Sequence, residues 1–120
     1  MSDKPIFTVT SGFSKEPISL YEGTAETYGW AHICDGHGEM TNHQESVKTT
    51  LEDPTCVCSD ATRPERHQYY GLGNHPRQTD NYVKVVVAPF MPTGEISVIT
   101  AHTTDSISKG GTVLYVKPKL

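Results

Sequence analysis

The chain has 120 residues, 35% hydrophobic and 20% charged, with a formal net charge of −4. One domain of this size can bury roughly two-thirds of its unfolded surface without metal or disulfide staples, and the composition is that of a globular chain, not a disordered one. No apolar run approaches the roughly 20 residues of a membrane helix, so no membrane partner is expected.

The start, Met1-Ser2-Asp3-Lys4-Pro5, lacks a basic region followed by a long apolar core. It carries no export signal on this reading, and the expected location is cytoplasmic. Cys34, Cys56 and Cys58 are odd in number, so free thiols are expected rather than a disulfide framework. Residues 1–60 hold three lysines against ten acids, a net −7, and residues 61–120 hold seven Lys/Arg against four acids, a net +3. The positive part gathers at Arg63, Arg66, Arg77 and Lys84. A local basic patch counts for more in phosphate binding than the total charge.

In chain order, Ile6–Thr10 alternates apolar and polar residues and predicts a short strand or extended arm. Ser19-Leu20-Tyr21-Glu22 has the spacing of a capping box, and Thr24 offers a second cap. A first helix is expected from Thr24 to about Cys34, although Gly29 weakens it by about 1 kcal/mol relative to alanine. Gly36 and Gly38 end it and leave His37 in a turn. A second helix is capped by Asn42, carries Val47 and Leu51 four residues apart, and stops at Pro54.

Strands follow. Thr55–Ser59, Gln68–Leu72, Tyr82–Ala88, Glu95–His102 and Thr112–Lys117 are short, rich in Val, Ile, Thr or Tyr, and bounded by turn residues such as Pro92-Thr93-Gly94 and Lys109-Gly110-Gly111. Val83, Val85 and Val87 share one face of their strand while Val86 and Ala88 are apolar on the other, which predicts a central strand buried on both sides. Cys56 and Cys58 share a face, whereas Tyr69 and Tyr70 must point to opposite faces. Ile96, Val98 and Thr100 are expected on one side of the Glu95–His102 strand. Helices followed by consecutive strands predict an α+β domain, with N-terminal helices packed on a four- to five-stranded antiparallel sheet. Residues 1–120 form a single domain with its core at about 24–117.

One ordered series of short motifs runs through most of this chain. It comprises Trp30, His32-Ile33, His37-Gly38-Glu39, Asp53-Pro54 and Cys56-Val57. It continues with Arg66 before Tyr69-Tyr70, then Tyr82-Val83-Lys84-Val85-Val86-Val87, Gly94-Glu95-Ile96, Thr100-Ala101 and Lys109-Gly110-Gly111. Over residues 24–116 it resembles the phage and polymorphic-toxin branch of the ribonuclease superfamily that groups barnase, EndoU, colicin nucleases and RelE-like toxins. The resemblance implies helices on a four-stranded antiparallel sheet and RNA cleaved on the exposed sheet face without metal or other cofactor. It also implies a toxin, toxin–antitoxin or phage-borne, restrained by a proteinaceous antitoxin or inhibitor. The helix-end histidine of the family falls on His32 or His37, its basic strand residue on Arg66 and its hydroxyl on Thr100. Gly38 departs from the commoner His-Pro-Glu and loosens that turn.

Such positions suit the chemistry. An imidazole with an unperturbed pKa near 6.5 can take a proton from a ribose 2′-hydroxyl or return one to the leaving oxygen. Arg66 would hold a non-bridging phosphate oxygen, and Thr100 and Tyr70 could donate to the same phosphate. Tyr69 could stack on a base, with His67, Arg63 and Lys84 as further RNA contacts. Two other readings stay open. His32, Cys34, His37, Cys56 and Cys58 are all zinc-ligand types, although Cys-x-Cys is tight for a knuckle. A catalytically inactive binding module is the third class.

Overall fold

The computed structural model describes residues 4–90, 93–107 and 111–118. The opening Met1-Ser2-Asp3, Pro92 of one expected turn and Lys109-Gly110 of the other lie outside the described residues.

Among the described residues seven strands form one sheet. They are β1 (Phe7–Thr10), β2 (Pro17–Leu20), β3 (Cys56–Ser59), β4 (His67–Leu72), β5 (Tyr82–Phe90), β6 (Glu95–Thr104) and β7 (Val113–Val116), in the spatial order β1-β2-β6-β5-β4-β3-β7. Helices α1 (Gly29–Gly36) and α2 (Gln44–Glu52) flank a 3-10 turn at Gly38–Met40. The α+β class stands, but the sheet is larger than four to five strands and is not wholly antiparallel. Strand β2 runs parallel to β6, with Ile18 beside Ile96 and Ser19 beside Ser97. The extra strand is hidden in sequence because Ser19-Leu20-Tyr21-Glu22 mimics a helix cap. Its Ile18 and Leu20 are fully buried, and it pairs with β1 on its other side.

Helix α1 begins later than expected, and Gly29 is the reason. Its φ of +87° is a left-handed conformation, and a Cβ there would lie 2.6 Å from the Tyr21 carbonyl oxygen. The chain therefore turns at Gly29 instead of continuing a helix through it. The first amides of α1 are satisfied by the two residues that follow β2: Trp30 N–H donates to Tyr21 O at 2.9 Å and Ala31 N–H to Glu22 O at 2.8 Å. Asn42 does not cap α2 either. It takes a φ of 68°, and His43 stands at the cap position without a side-chain bond.

As predicted, β5 is the central strand of the sheet. Val83, Val85 and Val87 pack under the helices with Ile33, Met40, Val47, Leu51, Val98, Ala101 and Tyr69. Fully burying side chains of this size is worth about 1.5–3 kcal/mol each, which fixes both helices to that face. The opposite face carries a smaller cluster of Cys56, Cys58 and Tyr70, with Tyr82 and Ile107 packed against it. Ile107 follows β6, whereas β7 lies beyond β3, so the described start of that connection rests on the face without helices.

The register of β6 corrects one expectation. Val86 pairs with Thr100 but Val87 pairs with Val98, so Ile99 is an extra residue in a bulge. Val98 and Thr100 therefore lie on opposite faces. No helix among the described residues is long and apolar enough to cross a membrane.

Candidate functional site

The registers of β4, β5 and β6 set out the face without helices as rows. Tyr70, Lys84 and His102 are in line, and the next row is Gln68, Val86 and Thr100. At the far end of the rows, Ala88 pairs with Ser97. This arrangement depends on the bulge, since without it His102 would have turned to the other face.

Two histidines meet at the first row. The rings of His37, at the end of α1, and His102 are stacked with centroids 4.8 Å apart and planes inclined by 28°. Strand β2 pairs with β6 at Ile96 and Ser97 only, and α1 with the following 3-10 turn packs against β6. The turn is clasped to the strand by Glu39, whose carboxylate accepts the Thr103 amide at 3.1 Å and the Thr103 hydroxyl at 3.3 Å. Burial works to raise the Glu39 pKa, but the Thr103 amide, its own amide, the Thr103 hydroxyl and His37 outweigh it and hold the carboxyl below its usual range.

The imidazoles have defined roles. His102 Nδ1 lies 3.0 Å from the Thr103 carbonyl oxygen, so it carries the hydrogen and leaves Nε2 to exchange a proton. Burial lowers the His37 pKa, and His102 and His32 lower it further against the opposing pull of Glu39. His37 is therefore the group held neutral near pH 7, and a charge on one ring disfavours a charge on the other. His32 is close enough to act on His37, but its Nδ1 donates to the Ala25 carbonyl at 2.9 Å. It is a neighbour of the pair rather than a member of it.

Lys84 stands opposite His102 in the register, with its Nζ 5.8 Å from the centroid of the Tyr70 ring. The register thus puts one cation on the strand position beside His102. Behind the 3-10 turn, a polar cleft of about 550 Å³ is lined by residues that include Glu39, Asn42, His43, His75 and Arg77. Its wall is fixed by buried His75, whose Nε2 donates to the Glu39 carbonyl at 2.7 Å while Nδ1 accepts the Arg77 amide at 3.1 Å. The ring of His43 lies 4.3 Å from that of His75.

Several residues singled out from sequence stand elsewhere. Tyr69 is 1% exposed, packs in the main core and shares a 2.6 Å hydrogen bond with Ser11, so its ring is closed to a base. Tyr70 is fully buried and donates its hydroxyl to Gln68 Oε1 at 3.0 Å, which removes it from any phosphate. His67 pairs with Val87 and turns its ring to Phe13 on the helix side. Arg63 and Arg66 belong to the β3–β4 loop, whose form is set by Asp60. The Thr62 and Arg63 amides, the Thr62 hydroxyl and Gln68 hold the Asp60 carboxyl at about 2. That loop lies at the Ala88–Ser97 end of the sheet. Four residues of β5 separate this row from Lys84, roughly 13 Å at about 3.3 Å per residue, so Arg66 is not brought to the imidazoles.

Among the described residues Thr100 Oγ1 is enclosed and has no hydrogen-bond partner. Among the described residues no three His, Cys, Asp or Glu side chains come together as a metal site requires. Cys56 and Cys58 lie in the small cluster with Tyr70, apart from Cys34, and burial pushes the Cys56 thiol up to about 11. His102 is the member of the pair that sequence reasoning missed. Its signal was its place two residues after Thr100, on the face without helices. No protein-family model, curated protein or solved structure matches the chain.

Proposed function

We propose that the protein is a metal-independent endoribonuclease whose acid and base are His102 and His37. The observation that carries this reading is the stacked imidazole pair, with Lys84 opposite His102 in the strand register. Cleavage by the ribose 2′-hydroxyl needs one neutral imidazole and one protonated one. The lowered pKa of His37 keeps that ring neutral at neutral pH, as the base requires.

In the proposed reaction His37 takes the proton of the 2′-hydroxyl, and O2′ attacks the phosphorus. The bond to the 5′ oxygen breaks, and His102 Nε2 gives its proton to that oxygen. The products are a 2′,3′-cyclic phosphate and a 5′-hydroxyl. The Thr103 carbonyl orients the His102 ring through Nδ1. Lys84 supplies positive charge where the phosphorane becomes more negative. Arg77 and His43, beyond the Glu39 turn, are the groups that the phosphates of a longer strand would meet.

The resemblance in motif order supports the same class; of its expected catalytic residues His32, His37, Arg66, Tyr70 and Thr100, the proposal keeps His37 and adds His102 and Lys84. A toxin role, with a proteinaceous inhibitor covering the site, follows from that resemblance. The test is digestion of RNA in EDTA followed by identification of the product ends. Cyclic phosphate termini are expected. Cleavage that requires added divalent metal would contradict the reading.

A further inference from the structure

A small apolar cleft of about 220 Å³ opens at the end of the sheet away from the imidazole pair. Tyr28, Ala88, Pro89, Phe90, Ser97 and Ile99 line it. The β6 bulge contributes Ile99, the paired residues Ala88 and Ser97 come from adjacent strands, and Tyr28 arrives from the turn that opens α1. Phe90 is 52% exposed, a large apolar ring held in solvent, whereas Ser97 is only 4% exposed. Two aromatic side chains with a buried hydroxyl thus surround a slot of nucleobase size.

Its position matters as much as its lining. Ala88 and Ser97 belong to the face that carries Lys84 and His102, roughly 13 Å along β5. Arg66 directly precedes His67, which pairs with Val87, so the register puts one cation at this end of the sheet, while Glu95 pairs with Phe90 and is bonded by the Tyr21 hydroxyl. An occupant with a flat apolar ring and a negative backbone fits both features.

We propose that this cleft binds one nucleobase of a single-stranded RNA whose scissile phosphate lies at His37 and His102. The inference rests on the ribonuclease reading and adds a specificity site to it. The base stacks against Phe90 and Tyr28, its edge meets the Ser97 hydroxyl, and Arg63 and Arg66 hold the adjoining phosphates.

The probe is a set of tetranucleotides of 2′-O-methyl RNA, which cannot be cleaved, each complete or lacking one base. Binding is read by fluorescence anisotropy. Loss of one particular base is expected to weaken binding to the wild type roughly 10-fold. Phe90→Ala should bind the complete probe as weakly as the wild type binds that base-free one, with an unchanged melting temperature because the ring is half exposed. Tyr28→Ala should show the same pattern, and Phe90→Trp should restore the base dependence. Equal binding of all probes by the wild type would overturn the proposal, as would an undiminished base effect in both alanine variants. So would a change in Phe90→Ala confined to self-association. Base-dependent binding without cleavage would refute the nuclease reading alone, and cleavage without base dependence would refute the cleft alone.

Discussion

The Glu39 carboxylate accepts both the amide and the hydroxyl of Thr103, the residue after His102. The turn after His37 is thereby tied to the strand that carries the other imidazole. Glu39→Ala leaves the Thr103 amide without this partner and should cost about 1–3 kcal/mol of stability. RNA cleavage should fall about 10-fold or more as the two rings lose their alignment. Glu39→Gln keeps an acceptor oxygen and should retain most of both properties. Melting curves and cleavage rates of the two variants check this, and equal losses in both would show that charge, not the clasp, is what matters.

The depressed pKa of His37 carries a pH dependence of known sign. Below the unfolded value of about 6.5, the unfolded chain binds this proton more readily than the folded one. The contribution of His37 to stability is therefore complete above that value and is lost as pH falls through the lowered folded pKa. His37→Gln should flatten the decline of stability between neutral and acid pH, as measured by urea unfolding across that range. A wild-type slope in the variant would place the titration elsewhere.

Thr100 gives a prediction opposite to the one its motif suggests. Its hydroxyl is enclosed without a partner among the described residues, so Thr100→Val replaces an unsatisfied polar group by a methyl of similar shape. Stability should rise by about 1 kcal/mol, seen as a few degrees in melting temperature, with cleavage unchanged. A large loss of cleavage with a normal melting temperature would return Thr100 to the catalytic set.

Tyr69→Phe removes the buried hydrogen bond to Ser11. It should lower stability by about 1 kcal/mol and leave RNA affinity as it was. Weaker RNA binding by a stably folded variant would mean that Tyr69 meets the substrate after all.

The sequence disclosed what rests on local pattern. The alternation of Val83, Val85 and Val87, the Val47–Leu51 spacing and the shared face of Cys56 and Cys58 all follow from side-chain period, and each is present in the fold. What it concealed depends on contacts distant in the chain. Strand β2 exists because Ile18 finds Ile96 on β6. Phe13 and Ser11 close over Tyr69, and Ile107 packs against Tyr70's cluster, which removes both phenols from the surface. The bulge at Ile99 cannot be read from alternation, yet it decides that Thr100 and His102 share a face apart from Val98. Of the candidate site, His37 and Lys84 were legible as residues, while their meeting with His102 was not.

The most direct test is the rate at which His102→Ala cleaves single-stranded RNA in EDTA, beside wild type and His37→Ala. Removing either proton-transfer group should lower the rate by about two orders of magnitude or more while the melting temperature stays close to that of the wild type. A His102→Ala protein that cleaves at the wild-type rate would contradict the account, because no second imidazole would then be needed at His37.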